Sequence, residues 1–274
     1  MKKIDFELGT VQKTLLFPLS GKAYDAESKK PILNDKKALE LYHKLMPEDR
    51  NYFKKYIRSI GVLAFCERAL IIDNTIKDFL QRHPKGKILN IGAGLETSFY
   101  RLNQPNVAWF DLDLPDSIAL REKLLPNTFK NVKYIAKSMF DESWLEDVGD
   151  IKDGLLITIS GVLPYFDEAQ VKEFFNTYAP KLKGAEIIFD VISNMGRFFV
   201  TRKITQAGMS NATLDWGITN PHDIEKWNEH IQFKKSYYFL QHSSFRNSKN
   251  IIRRFISINN SFFKIGQIFH FKFV

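Results

Sequence analysis

From Lys87 to Ile192 the chain repeats one pattern: a short apolar run, a loop, then a helical segment. The runs are "KILNIG", "VAWFDLD", "VKYIAK", "GLLITISG" and "AEIIFDVI", and the helical segments between them begin near Ser98, Asp116, Asp141 and Asp167. Strands that alternate with helices pair in parallel and are covered on both faces. The near-continuous apolar runs "GLLITI" and "EIIFDV" suit strands buried from two sides. The tail differs. "FKKSYYFLQ" and "GQIFHFKFV" read as strands with no long helix between them, so an antiparallel pair should finish the sheet.

Residues 1–84 read as mostly helical. "DKKALELYHKL" sets Ala38, Leu41 and Leu45 at helical spacing, and "ERALIIDNTIKDFLQRH" does the same with Leu70, Ile71, Ile76, Phe79 and Leu80. Pro84 and Gly86 then break the pattern. The fold expected is α/β: a Rossmann-like doubly wound, mostly parallel sheet with an antiparallel C-terminal edge and an N-terminal helical cap. The division expected is a cap over 1–84 and a core over 85–274, with an insertion near 193–230 covering the substrate side.

Bulk properties exclude several classes. The only cysteine, Cys66, allows no internal disulfide and suits a reducing cytoplasm, and its apolar helical setting marks it as core filler. No apolar run is long enough to span a bilayer, and "MKKIDFELGT" lacks the apolar stretch of a signal peptide, so a cytoplasmic protein without a membrane partner is expected. The net charge of +9 is lopsided: residues 231–274 hold eight Lys/Arg and no acid, leaving 32 bases against 31 acids elsewhere. One reading is an anionic substrate, acidic partner or polyanion. The alternation with Phe and Ile in "IIRRFISI" favours the other, solvated strand faces, and makes nucleic acid an unlikely partner. Oligomeric state is not legible.

In an open parallel sheet, ligands bind at the carboxyl ends of the strands near the point where strand order reverses. The loop Gly92-Ala93-Gly94-Leu95-Glu96-Thr97 follows the first sheet strand. It lacks the third glycine of a dinucleotide fingerprint, Glu96 would sit badly beside a pyrophosphate, and no Lys-Ser/Thr follows as in a P-loop. About 20 residues further on, "WFDLD" ends a strand with Asp111 and Asp113, acids able to accept hydrogen bonds from ribose hydroxyls. A ribose binder without phosphate chemistry points to S-adenosylmethionine, which carries an adenosine, a sulfonium and an amino acid.

These residues carry a resemblance. "ILNIGAGLETSFYRL", "WFDLDLPDSIALREKLLP", "SWL" and "SGVLPYFDEAQVKEFF", in this order, resemble the leucine carboxyl methyltransferase family, especially its branch of polyketide-biosynthesis O-methyltransferases. "KTLLFPLSGKAYDAESKKPILNDKKALEL" and "WGITNPHDIEKWN" resemble that branch's opening and a later segment. The resemblance implies an S-adenosylmethionine-dependent O-methyltransferase acting on a small-molecule carboxylate or hydroxyl, with S-adenosylhomocysteine as product. It implies that Arg68 pairs with the cofactor carboxylate and that Lys13 lies near it. Gly92, Ala93 and Gly94 form the loop, Asp113 takes the ribose with Asp111 as backup, and Ser138 and Met139 bracket adenine. Ser160 stands where the family usually has an acid, and Ser138-Met139 where its carboxyl methyltransferases have Asp-Leu.

A carboxylate acceptor needs no base, whereas a phenol or alcohol gains from one. Tyr165 and His222 are the candidates taken forward, with Asp190, His230 and His242 behind them. No cluster has metal-ligand spacing, so a metal-independent reaction is expected. An apolar or aromatic acceptor pocket is expected between the cap and the insertion, from Phe17, Tyr24, Phe198, Phe199 and Trp216. The rival readings are a catalytically degenerate nucleoside- or polyanion-binding protein and an NAD-dependent oxidoreductase on the same sheet.

Overall fold

A computed structural model of the chain describes residues 10–48, 50–51, 59–208, 212–239 and 266–274. Its centre is one seven-stranded sheet. In chain order the strands are β1 (Lys87–Ile91), β2 (Trp109–Asp113), β3 (Val132–Ala136), β4 (Leu155–Ile159), β5 (Glu186–Ile192), β6 (Ile231–Tyr238) and β7 (Gly266–Phe273). Their spatial order is β3-β2-β1-β4-β5-β7-β6. The first five are parallel, while β7 pairs antiparallel with both β5 and β6. The expected doubly wound sheet with an antiparallel edge is therefore present. Strand order reverses between β1 and β4, which places a ligand crevice beyond the end of β1.

The described helices are α1 (Thr10–Ala26), α2 (Lys36–Lys44), α3 (Ser59–Arg82), α4 (Ser98–Leu102), α5 (Pro115–Leu124), α6 (Trp144–Val148), α7 (Glu168–Tyr178), α8 (Asn194–Gln206) and α9 (His222–Glu225). The strands feed two cores through a period of two. Ile88, Leu156, Ile188 and Ile268 face the side covered by Ile72, Ile76 and Phe79 of α3. Their neighbours Leu89, Ile157, Ile187 and Phe269 face the side covered by α7. α7 begins with a capping box between Asp167 and Gln170, and buries Val171, Phe174, Phe175 and Tyr178 along one stripe. Truncating a buried phenylalanine of this stripe to alanine costs about 3–5 kcal/mol.

A third cluster positions the site. Leu16, Leu19 and Ala23 of α1 pack with Ala38 and Leu41 of α2, Leu95 of the glycine loop, and Leu120 and Leu124 of α5. The N-terminal helices thus rest directly on the loop after β1. α3 precedes residue 84, yet it lies on the sheet face itself. At the amino end of the sheet, Glu186 collects Arg82 at 2.7 Å, Lys234 at 2.8 Å and His270 at 2.8 Å. Burial opposes its charge, but these partners outweigh burial and hold the carboxyl well below the usual range.

Candidate active site

β1 hands over to a loop that only glycine can build at two points. Gly92 has φ +67° and Gly94 φ +40°. A Cβ at Gly92 would lie 2.1 Å from Val162 Cγ2, and one at Gly94 would lie 2.8 Å from Leu15 Cδ2. The backbone is left bare at the carboxyl edge, with Ala93 buried between the two glycines.

Arg121 of α5 fastens this loop to β2. Its Nη1 donates to the carbonyls of Gly94 (3.0 Å) and Glu96 (2.9 Å), and its Nη2 to Asp111 Oδ2 (2.6 Å). Asp111 Oδ1 accepts from Asn90 Nδ2 at 2.9 Å and Trp109 Nε1 at 3.0 Å. Asp111, the expected backup at the ribose, is thus fully buried with both oxygens engaged inside the protein. Asp113 faces the loop. Its Oδ2 accepts from Gly94 N (2.7 Å) and its Oδ1 from Leu114 N (2.8 Å). Burial pushes its pKa up despite these donors.

Behind the loop lies a charge network that single-sequence reasoning missed. Glu96 pairs with Lys22 of α1 and, at 2.9 Å, with Arg101 of α4. Arg101 also reaches Asp73 of α3 at 2.8 Å and Asp35, the N-cap of α2, at 2.5 Å. Burial disfavours the Glu96 charge, but Lys22 and Arg101 more than offset it and lower its pKa. The sequence signal was weak because the partners sit on separate elements, Lys22 being 74 residues from Glu96. A small cavity lies beside the network, lined by Asn90, Glu96, Arg101, Thr158 and Ser160 together with Ala69 and Ile72.

On the β4–β5 side, Arg68 Nη1 donates to Asp190 Oδ2 at 2.8 Å, and Gly161 N to Asp190 Oδ1 at 2.5 Å. Gly161 has φ +72°, and a Cβ there would lie 3.0 Å from Arg68 Nη1. Tyr165 ends the short turn Leu163–Tyr165 after β4. Burial raises its pKa, while a hydrogen bond with Thr14 and the nearby Arg68 oppose the rise. Ser138 follows β3 and accepts from Phe140 N at 3.2 Å. Met139 is buried in the core, its carbonyl accepting from Trp144 Nε1 (3.1 Å) and Tyr178 Oη (2.9 Å). Lys13 falls on α1, and its side chain lies outside the described residues.

Gly92, Gly94, Arg68, Ser160 and Tyr165 therefore sit on loops or helices at the carboxyl edge, beside Asp113, the last residue of β2. His222 does not. It is exposed, pairs with Glu225 at 2.5 Å and meets the Phe233 ring at 5.1 Å. Phe233 registers with Phe271, and Phe271 with Ile187 near the start of β5. The expectation of a catalytic His222 is corrected: the connection after β5 crosses back to the amino end of the sheet before β6 begins there, and it takes His222 with it. His230 is there too, bonded to Val274 O at 2.8 Å, and His242 lies outside the described residues. Of the pocket aromatics, Phe17 packs with Tyr165 against Ile204, Ala207 and Ala212. Trp216 belongs to the core, Tyr24 bonds Tyr42 at 2.8 Å, and Phe198 and Phe199 are exposed. Among the described residues no three His, Cys, Asp or Glu are grouped to hold a metal, and no helix is long and apolar enough to cross a membrane.

The strand order, the bare glycine turn and an acid closing β2 define a Rossmann-like sheet with a ligand crevice beyond β1, and a family match makes the protein an S-adenosylmethionine-dependent methyltransferase. The chain belongs to the leucine carboxyl methyltransferase family, whose model matches residues 18–179. It is similar to the tetracenomycin polyketide synthesis O-methyltransferase TcmP of Streptomyces glaucescens, with 29% identity over 232 residues, covering 84% of this chain and 83% of that one. It is also similar to the S-adenosyl-L-methionine-dependent methyltransferase dpfgK of Gibberella zeae, with 22% identity over 245 residues, covering 84% and 82%. Among solved structures, a DUF574 family protein from Streptomyces avermitilis shares the fold at TM-score 0.59, 13% identity and coverage of 93% and 97%. Magnesium protoporphyrin IX methyltransferase (ChlM) from Synechocystis, with bound S-adenosylhomocysteine, does so at TM-score 0.51, 10% identity and coverage of 83% and 95%.

Proposed function

We propose that this methyltransferase methylates an oxygen, carboxylate or hydroxyl, of a small-molecule acceptor, as the names of its relatives suggest for them. In this reading Asp113 takes the ribose hydroxyls, and Gly92, Ala93 and Gly94 give the cofactor bare backbone to lie on. Arg68 and Lys13 meet its carboxylate, Ser138 and Met139 flank adenine, and Ser160 closes the methionine side. Residues 1–84 act as the cap, 85–274 as the core and 193–230 as the acceptor's cover, in a cytoplasmic enzyme for which nucleic acid is not a partner. The observation that carries this is Asp113, held at the carboxyl end of β2 by Gly94 N and Leu114 N. Asp113 accepts from these two backbone donors and from the Ser117 side chain; two carboxylate oxygens offer about four lone-pair sites, so capacity for a diol remains.

S-adenosylmethionine supplies an electrophilic methyl group when bound. The protein's share is to align an acceptor oxygen behind that methyl and to exclude water. Asp190 is already satisfied by Arg68 and Gly161, so it positions rather than abstracts. The raised pKa of Tyr165 keeps its hydroxyl protonated at neutral pH, so it orients the acceptor as a hydrogen-bond donor. This arrangement favours an acceptor that arrives ionised. The test is calorimetric titration with S-adenosylmethionine and S-adenosylhomocysteine, wild type beside Asp113→Ala and Arg68→Ala. Binding by wild type that both variants lose supports these assignments; binding that survives in both overturns them.

A further inference from the structure

α8 leaves the carboxyl end of β5 with one face uncovered. Met195 is 42% exposed, Phe198 64% and Phe199 53%, and they lie at helical spacing on one side. They are three of the five large hydrophobics exposed among the described residues; the others, Leu114 and Phe129, lie apart on other elements. Arg202 and Lys203 continue that side, exposed and without an ion-pair partner among the described residues. α8 contains no acid. Arg197, on the flank, donates to the backbone carbonyl of Asp215.

The sequence carries further positive charge between β6 and β7. The chain leaves the antiparallel pair at Phe239 and returns at Gly266, and Gly266 registers with Ile192, one residue before the Ser193 cap of α8. The 26 residues between carry Arg246, Lys249, Arg253, Arg254 and Lys264 and no acid. This is the basic excess that methyl transfer leaves unused.

Charge complementarity selects the occupant. A second copy would set α8 cations against α8 cations, and the stretch 240–265 is itself basic. A nucleic acid would leave the Met-Phe-Phe face in water or ask it to stack bases singly. An anionic lipid surface satisfies both halves: apolar side chains enter the headgroup boundary while Arg and Lys meet phosphates. We propose that α8 docks this enzyme on anionic membrane surfaces, with Met195, Phe198 and Phe199 inserted and Arg202 and Lys203 at the headgroups. The absence of a spanning helix among the described residues is compatible with this, because a docking helix of this kind lies in the interface.

The experiment is co-sedimentation of the full chain with vesicles of phosphatidylglycerol and phosphatidylcholine in equal parts, and with phosphatidylcholine alone. Wild type should bind the mixed vesicles, release at high salt and ignore the neutral ones. Phe198→Ser/Phe199→Ser should abolish binding. Arg202→Gln/Lys203→Gln should weaken it by about fivefold for each cation removed. All variants should keep the wild-type melting temperature and S-adenosylmethionine affinity, since none touches the cofactor loop. The proposal is overturned if wild type ignores anionic vesicles, or if both double variants bind as wild type does. A self-association or RNA binding lost in Phe198→Ser/Phe199→Ser, with vesicle binding intact, overturns it in favour of those partners.

Discussion

Arg121→Met tests whether the cofactor loop is held from beneath. Arg121 is buried, pairs with Asp111 at 2.6 Å, donates to two loop carbonyls and lies with its guanidinium 5.1 Å from the Tyr134 ring centre. Only its Nε lacks an acceptor. Removing one partner of a buried pair leaves an uncompensated charge, worth about 3–5 kcal/mol. That is a large part of the 5–15 kcal/mol that stabilises an ordinary domain. At roughly 2–4 °C per kcal/mol, the melting temperature should fall by about 6–20 °C. Asp111→Asn/Arg121→Met removes the orphan charge while Asn90 and Trp109 keep an acceptor, so it should recover part of the loss. Urea denaturation of wild type, Arg121→Met, Asp111→Asn and the double variant, with S-adenosylmethionine affinity measured on each, gives the coupling. A loss below about 1 kcal/mol for Arg121→Met, or a double variant whose cost is the sum of the singles, would refute the reasoning.

Gly92→Ala forces a Cβ to 2.1 Å from Val162 in a left-handed backbone; thermal shift should show a destabilised protein whose melting no longer rises with S-adenosylmethionine. Asp190→Asn keeps the bond from Gly161 but weakens the hold on Arg68; KM for the cofactor should rise about tenfold with kcat little changed, and the reverse pattern would remove its positioning role. Glu186 has a lowered folded pKa, so its stabilisation is full above the ordinary glutamate value near 4.3 and is lost as pH falls from there through the folded value; the drop in urea midpoint between about pH 5 and pH 2 should shrink in Glu186→Gln. The Cys66 thiol is pushed up to about 12 by burial; iodoacetamide at pH 8 should label it only after unfolding.

The sheet was legible because each strand carries its own two-residue period, and Ile88-Leu89 or Leu156-Ile157 state which residue faces which side. The loop was legible because Gly92, Gly94 and Asp113 lie close in sequence around one turn. Other parts depend on chain geometry that no local pattern encodes. Asp111 and Asp113 look equivalent on paper; the arrival of Arg121 beneath β2 separates a buried fastening from an acid at the loop. The Glu96 network needs α1, α2, α3 and α4 to converge. His222 follows β5 in sequence, but the crossover that leads into β6 carries it back to the amino end of the sheet.

The β5–β7 pairing has a consequence for synthesis. β5 lies against β4 on one side and, over seven register positions, against β7 on the other. β6 has β7 as its sheet partner. A ribosome that has released residue 239 but not residue 266 therefore holds an unfinished product. Its "EIIFDVI" strand is a bare, apolar edge able to recruit strands from other nascent chains. Premature termination in that interval should yield aggregates instead of a slightly shortened enzyme, so the final nine residues protect the protein from its own half-built state.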